Sequence, residues 1–188
     1  MQIILLRHGR PEPPHNDRLN ARSISHWVSL YNMAGLAAGD EPPVQALEMA
    51  NQCRSVICSD LPRSIESAGA LGFSGDTHGD PLFREAELPG LNFPSPRLPP
   101  GVWVVTARIL WFLGYCPNCE SLDDARQRAR SCAVRLAEAA ADEGPLLFVG
   151  HGILNKMIGH NLLSAGWSGP RQPGHRYWEF GKYELPGK

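Results

Sequence analysis

Four side chains that are suited to binding an oxyanion each follow closely after a short apolar run of the sequence. Each lies within four residues of the end of a short apolar run: Arg7, His8, Arg63 and His151. Short runs rich in β-branched and large apolar residues are typical of buried strands. Ligands of open α/β sheets bind just beyond the carboxyl ends of such strands. We therefore expect the four side chains to meet at one edge of a sheet.

The residue types indicate a phosphate site. Arginine presents a planar set of donors that matches phosphate, and histidine can act near neutral pH as a base, an acid, a metal ligand or a nucleophile. In the tripeptide Arg7-His8-Gly9, the glycine would let the backbone approach a ligand closely. A strand end followed by a solvated turn is the alternative for this tripeptide alone, but the same pattern recurs at two further strand ends.

Arg63 lies near the start of a predicted helix. Ser59 or Asp60 is expected to cap this helix, and Pro62 suits its first turn. A cation there opposes the helix dipole at a cost of roughly 0.3–1 kcal/mol, which an anion bound at the helix N-terminus would offset. The alternative is a surface ion pair of Arg63 with Asp60 or Glu66.

The rest of the chain alternates between helical and strand patterns. Helices are predicted at residues 24–31, 44–52, 62–71, 102–115, 120–143 and 153–158. Strands are predicted at residues 3–6, 54–59, 145–149 and 177–185. Strands separated by helices favour a largely parallel sheet that is covered on both faces. The predicted fold is a three-layer α/β/α sandwich in a single domain over residues 1–188.

The motifs are similar to those of the histidine phosphatase superfamily, the phosphoglycerate mutase-like proteins. Four stretches carry the resemblance, in the family's order: Arg7-His8-Gly9, residues 59–68, residues 82–85 and His151-Gly152. The third stretch has one residue more than the common spacing before its acidic residue, Glu85. Residues 10–16 and 39–46 depart from the usual motifs that follow the first strand and precede the second. The chain therefore resembles a divergent branch.

The resemblance implies a phosphatase that forms a covalent phosphohistidine. His8 would attack phosphorus in line, which divides one difficult step into two easier ones. Three side chains would surround the phosphate oxygens: Arg7, Arg63 and His151. Glu85 would protonate the leaving oxygen and later activate water. Glu87, on the same side of an extended segment, is the alternative for that role.

The same resemblance implies a metal-independent phosphomonoesterase that needs no cofactor and acts on a phosphorylated small molecule. A phosphoglycerate-type mutase and a protein phosphohistidine phosphatase are alternative enzymes, and a module that only binds phosphate is the non-enzymatic alternative. Substrate choice is expected to depend on residues 10–39 and on the proline-rich residues 89–101. That second segment is either the rim of the pocket, with Arg97 contacting substrate, or a plain connection.

Composition argues against several other classes of protein. The 188-residue chain has a formal net charge of −1 and so lacks the basic excess typical of nucleic-acid binding. The apolar stretch 102–115 contains Arg108 and is too short to span a bilayer. No signal-peptide pattern is recognised, and a cytoplasmic protein is expected. Cys116 and Cys119 form a CxxC, which is structural, redox-active or, with Cys53 as a remote third ligand, part of a zinc site.

Overall fold

The centre of the fold is one five-stranded sheet. The computed structural model describes residues 1–15, 17–73 and 79–186. The strands are β1 (Gln2–Arg7), β2 (Ser55–Ser59), β3 (Gly79–Asp80), β4 (Leu146–Gly150) and β5 (Phe180–Glu184). Their order is β3-β2-β4-β1-β5, and of these described strands only β5 runs antiparallel to its neighbour. The predicted mostly parallel α/β sheet is confirmed.

Helices cover both faces of this sheet. They are α1 (Ile24–Asn32), α2 (Val44–Ala50), α3 (Pro62–Ala70), α4 (Pro100–Phe112), α5 (Leu122–Glu143) and α6 (Gly152–Ser164). Successive residues of a strand point to opposite faces. Accordingly, Ile3 and Leu5 of β1 pack in one core with α5 and α6, whereas Ile4 and Leu6 pack in another with α2 and α3. The result is the predicted three-layer arrangement.

The predicted helix starts agree with the structure to within two residues, but two details are wrong. The residue before α3 is Leu61, and no side chain caps this helix. Asp60, one of the two expected caps, instead accepts hydrogen bonds from Arg84 at 2.7 and 2.5 Å. The last strand begins at Phe180 rather than at residue 177, because Trp178 has a left-handed φ of 63°, which interrupts extended backbone.

The register of the sheet brings three strand ends together. Arg7 at the end of β1 pairs with Gly150 at the end of β4, and Cys58 of β2 pairs with Val149 of β4. Because these strands are parallel neighbours, the residues that follow them emerge at one edge. This is the edge at which the sequence pattern placed the four basic and imidazole side chains.

The proline-rich segment and the CxxC both pack against other parts of the fold. Residues 89–99 pack against the start of α1, where Leu98 pairs with Leu19 and the Ser95 hydroxyl accepts a hydrogen bond from the Ala21 N–H. The CxxC packs beside α4, and burial raises the pKa of the Cys119 thiol to about 11, which keeps it protonated at neutral pH. No helix in the described ranges is long and apolar enough to cross a membrane.

Candidate active site

The side chains of the predicted phosphate site meet at the carboxyl edge of the sheet. His8 follows β1, Arg63 lies in the first turn of α3, and His151 is the residue between β4 and α6. They are exposed by only 3, 2 and 1%, respectively. The backbone N–H of His8 donates to the Gly150 carbonyl at 3.0 Å, which ties the first strand end to the last.

The hydrogen bonds of His8 define which of its nitrogens is free to react. Nδ1 lies 2.6 Å from the Gly9 carbonyl oxygen, so that Nδ1 carries the proton and donates it to this bond. The lone pair is therefore on Nε2, to which Arg63 Nε donates at 3.3 Å. Burial, together with the charges of Arg63 and Arg7, lowers the pKa of His8 to about 3. The imidazole is thus neutral at physiological pH, as a nucleophile must be.

Arg63 is directed into the site and does not form the surface ion pair considered above. Besides His8, its guanidinium donates to the Tyr31 carbonyl at 3.2 Å and to Asn32 Oδ1 at 3.3 Å. Its two expected carboxylate partners are engaged elsewhere: Asp60 binds Arg84, and Glu66 accepts from the Leu36 N–H at 2.6 Å. The buried positive charge of Arg63 is therefore bound by neutral groups.

His151 and Arg7 complete the positive and hydrogen-bonding surroundings of His8. The rings of His151 and His8 are 4.9 Å apart between centroids, in an edge-to-face arrangement. Burial and the neighbouring His8 hold the pKa of His151 well below its ordinary value, so this ring can donate from one nitrogen only. Within the described ranges, His151 Nδ1 and Arg7 Nε are buried without a hydrogen-bond partner. Buried polar atoms of this kind are suited to the oxygens of an anion.

Two tyrosines that the sequence analysis missed contact the arginines. Tyr31 lies 4.9 Å from the Arg63 guanidinium, and Tyr177 lies 4.5 Å from that of Arg7. Tyr177 is also 5.7 Å from the His8 ring. Burial, together with a hydrogen bond to Tyr177, raises the pKa of Tyr31, which keeps its hydroxyl protonated. Because α1 and the residues before β5 are distant in sequence from the motifs, no local pattern marks these tyrosines.

Gly9 also makes room for neighbouring side chains, in addition to the approach to a ligand that the sequence predicts. A Cβ atom at this position would overlap the indole ring of Trp178 and lie 2.8 Å from Asp40 Oδ2. The Trp178 indole N–H donates to the same carboxylate oxygen at 2.8 Å. The glycine therefore makes room for the Trp178–Asp40 contact.

The structure separates the two candidate acids. Glu85 lines a cleft together with Arg7. Its carboxylate accepts backbone N–H bonds from Ile153 at 3.0 Å and from Leu154 and Ala86 at 2.9 Å. Glu87 instead accepts from the Glu120 N–H at 2.8 Å, outside this cleft. Of these two carboxylates, Glu85 is thus the one that lies in the cleft with Arg7.

Two arginines hold the segment that carries Glu85. Arg128 donates to the carbonyls of Leu82 and Arg84, both at 2.8 Å. Arg108 donates to the Ala86 carbonyl at 2.6 Å and to the Glu87 carbonyl at 3.1 Å. These contacts fix the backbone on both sides of Glu85 and so hold its carboxylate in place. Position matters for such a group, because a general acid or base must lie within hydrogen-bond reach of the proton it transfers.

The lowered pKa of His8 is expected to make folding dependent on pH. Histidine in the unfolded chain has a pKa of about 6.5 and binds a proton below that pH. His8 in the folded protein stays unprotonated down to about pH 3. The contribution of His8 to the free energy of unfolding is therefore complete above about pH 6.5. Below that pH it declines by up to about 1.4 kcal/mol per pH unit as the pH falls. In urea unfolding at about pH 7 and pH 5, His8→Asn should lose less stability on acidification than the wild type.

His160→Asn is the control, because His160 is an exposed residue of α6 outside the site. This variant should follow the wild-type pH dependence. Equal acid sensitivity of His8→Asn and the wild type would show that His8 is not held neutral in the folded protein.

Comparisons with known proteins identify the family of the chain and proteins that share its fold. A sequence model described as "Histidine phosphatase superfamily (branch 1)" matches residues 44–185. This range contains Arg63, Glu85 and His151, and the structure brings Arg7 and His8 to them from outside it. No curated protein matches the chain significantly.

Several solved structures share the fold. The protein of open reading frame Rv3214 from Mycobacterium tuberculosis has a TM-score of 0.62 and 18% identity, over 98% of this chain and 91% of the other. Mycobacterial glucosyl-3-phosphoglycerate phosphatase in complex with VO3 has a TM-score of 0.61 and 19% identity, over 98% and 96%. Phosphoglycerate mutase from Thermus thermophilus has a TM-score of 0.51 and 24% identity, over 86% and 84%.

Proposed function

Because the chain belongs to the histidine phosphatase superfamily and is a phosphatase, we propose that it hydrolyses small phosphate monoesters through a phosphohistidine formed at His8. The observation that carries this proposal is the unprotonated Nε2 of His8, which lies among Arg63, Arg7 and His151 while Nδ1 donates to the Gly9 carbonyl. A neutral nucleophile surrounded by cations and donors is what transfer of a phosphoryl group requires.

In the first step, the Nε2 lone pair of His8 attacks phosphorus. The bond from phosphorus to the leaving oxygen breaks as the new P–N bond forms. Arg7 and Arg63 neutralise the charge on the three equatorial oxygens, and His151 donates one hydrogen bond to them. Since these side chains are already held in the protein, little reorganisation is needed when the charge shifts.

Glu85 is proposed to move the proton in both steps. As a carboxylic acid it gives its proton to the leaving oxygen in the first step and becomes a carboxylate. In the second step this carboxylate takes a proton from water, the water oxygen attacks phosphorus, and the P–N bond breaks to release phosphate. The backbone N–H groups of Ala86, Ile153 and Leu154 hold this carboxyl group in place through hydrogen bonds of 2.9 to 3.0 Å.

The closed site favours a small substrate over a phosphorylated protein. His8 and His151 are almost completely buried, and the adjoining cleft has a volume of about 280 Å³. A small-molecule leaving group fits such a space. The glucosyl-3-phosphoglycerate phosphatase of the same fold acts on a phosphorylated small molecule, as its name states.

Trapping the covalent intermediate tests this proposal. The protein is mixed with an aryl phosphate in the presence of EDTA, quenched at alkaline pH, digested and analysed by mass spectrometry. We expect chelator-resistant turnover and one phosphoryl group on the peptide containing His8, lost on brief acid treatment. Turnover without a labelled peptide, or a label on another residue, would contradict the mechanism. A module that only binds phosphate would show neither turnover nor label.

A further inference from the structure

Helix α4 carries a row of large apolar side chains on the side that faces solvent. This row, which we call the outer stripe, consists of residues that are each 45 to 78% exposed: Val102, Val105, Ile109, Phe112 and Leu113. Their spacings of three and four residues place them on one face of the helix. The other side of α4 packs into the fold through Trp103, Ala107 and Trp111. A helix that is apolar on all sides is normally covered on all sides.

The outer stripe has the spacing of a coiled-coil seam. Steps of three, four and three residues separate Val102, Val105, Ile109 and Phe112. This is the alternation of apolar residues that two successive heptads place along one seam. In such a seam each side chain inserts between four residues of a facing helix. The spacing therefore indicates that another apolar helix covers the stripe.

The outer stripe also lacks charge. Arg108 is the only charged residue among Pro100–Phe112. Its guanidinium points into the fold, where it donates to the carbonyls of Ala86 at 2.6 Å and Glu87 at 3.1 Å. Charged flanks of a seam select partners of opposite charge, and like charges that face each other oppose association. An uncharged stripe can therefore face an identical stripe without repulsion.

The area of the outer stripe suits a dimer of this chain. The exposed fractions of its five residues amount to roughly 500 Å², close to the apolar part of a homodimer interface that buries about 800 Å² on each partner. In a two-fold interface the same patch lies on both partners. One stripe on each chain thus supplies the apolar centre of such an interface.

We propose that the outer stripe of α4 is a two-fold interface with a second copy of this chain. The two α4 helices pack side by side with their seams facing, so that each stripe covers the other. None of the five residues of the stripe belongs to the phosphate-binding side chains. The association therefore does not depend on the function proposed above.

Sedimentation velocity of the full chain from about 1 to about 100 µM tests this proposal, since dimer formation depends on protein concentration. The wild type should be dimeric at the upper end of this range. Val105→Glu/Ile109→Glu and Val105→Lys/Ile109→Lys should each weaken the dimer about a hundredfold or more, because like charges then meet across the interface. Both positions are exposed, and circular dichroism verifies that the two variants are folded.

An equimolar mixture of the two double variants tests whether the stripes contact each other directly. The mixture should associate about tenfold or more tightly than either variant alone, because opposite charges then face each other. This result is expected whether the two helices run parallel or antiparallel. A mixture that associates no better than its components would overturn the proposal.

Val134→Glu is the matched control, because Val134 is an apolar residue of α5 with an exposure of 57%, against 59% for Val105. This variant should dimerise as the wild type does. A wild type that is monomeric at about 100 µM, or a dimer that persists unchanged in both double variants, would contradict the interface. A monomeric wild type that co-sediments with phosphatidylcholine vesicles would identify a lipid surface as the occupant and would also overturn it.

Discussion

Replacing His8 by alanine is expected to lower kcat/KM for an aryl phosphate by about 10⁴- to 10⁶-fold, the range found when a catalytic nucleophile or its base is removed. The variant keeps Arg7, Arg63 and His151, so it should still bind phosphate. It lacks the Nε2 atom that would bond to phosphorus, and the covalent route is closed. Steady-state kinetics in the presence of EDTA measure the loss.

The matched control for this variant is His160→Ala, which removes an exposed imidazole from α6. Its kcat/KM should remain within about twofold of the wild type, since surface substitutions away from such sites have small effects. Circular dichroism verifies that both variants are folded. Activity of His8→Ala within tenfold of the wild type would show that His8 is not the nucleophile.

Substitution of Arg63 by methionine is expected to lower kcat/KM by about 10²- to 10⁴-fold, as the loss of a preorganised group that stabilises transition-state charge does. Arg63→Lys should recover only part of this loss, because an ammonium group lacks the planar pair of donors that matches two phosphate oxygens. The comparison of the two variants separates the contribution of charge from that of geometry.

Arg63→Met should also leave the melting temperature unchanged or raise it. Arg63 is 2% exposed, and the groups to which its guanidinium donates are all neutral: Tyr31, Asn32 and His8. A desolvated charge with only neutral partners costs stability, which an apolar side chain of similar length avoids. Loss of activity with no loss of stability is the pattern of a residue retained for function.

The control is Arg126→Met, which removes an exposed arginine of α5 that is paired with Asp123. Arg126→Met should keep its kcat/KM within about twofold of the wild type, whereas Arg63→Met should lose activity without losing thermal stability. A melting temperature that falls by more than about 8 °C in Arg63→Met would indicate a mainly structural role for Arg63.

Much of the fold follows from local sequence patterns. The apolar runs of β1, β2 and β4 and the helical periodicity of α1 to α6 are properties of neighbouring residues, and the structure confirms these elements to within a few residues at most starts. The two-residue strand β3 and the antiparallel direction of β5 are different. They depend on which strand lies beside which, and short segments carry little information about their partners.

The sequence by itself determined the chemistry available to this protein. Arg7, His8, Arg63 and His151 stand after strands, and parallel strands that alternate with helices must deliver such residues to one edge of a sheet. The meeting of these four side chains at one edge of the sheet was therefore predictable from residue type and position.

Only the tertiary structure decided how these groups are tuned. It assigned the proton of His8 to Nδ1, placed Tyr31 and Tyr177 against the arginines, and directed Glu85 rather than Glu87 to the cleft. Each of these features joins residues far apart in the chain. Burial and non-local hydrogen bonds set protonation and orientation, and neither is encoded in the short segments from which sequence patterns are read.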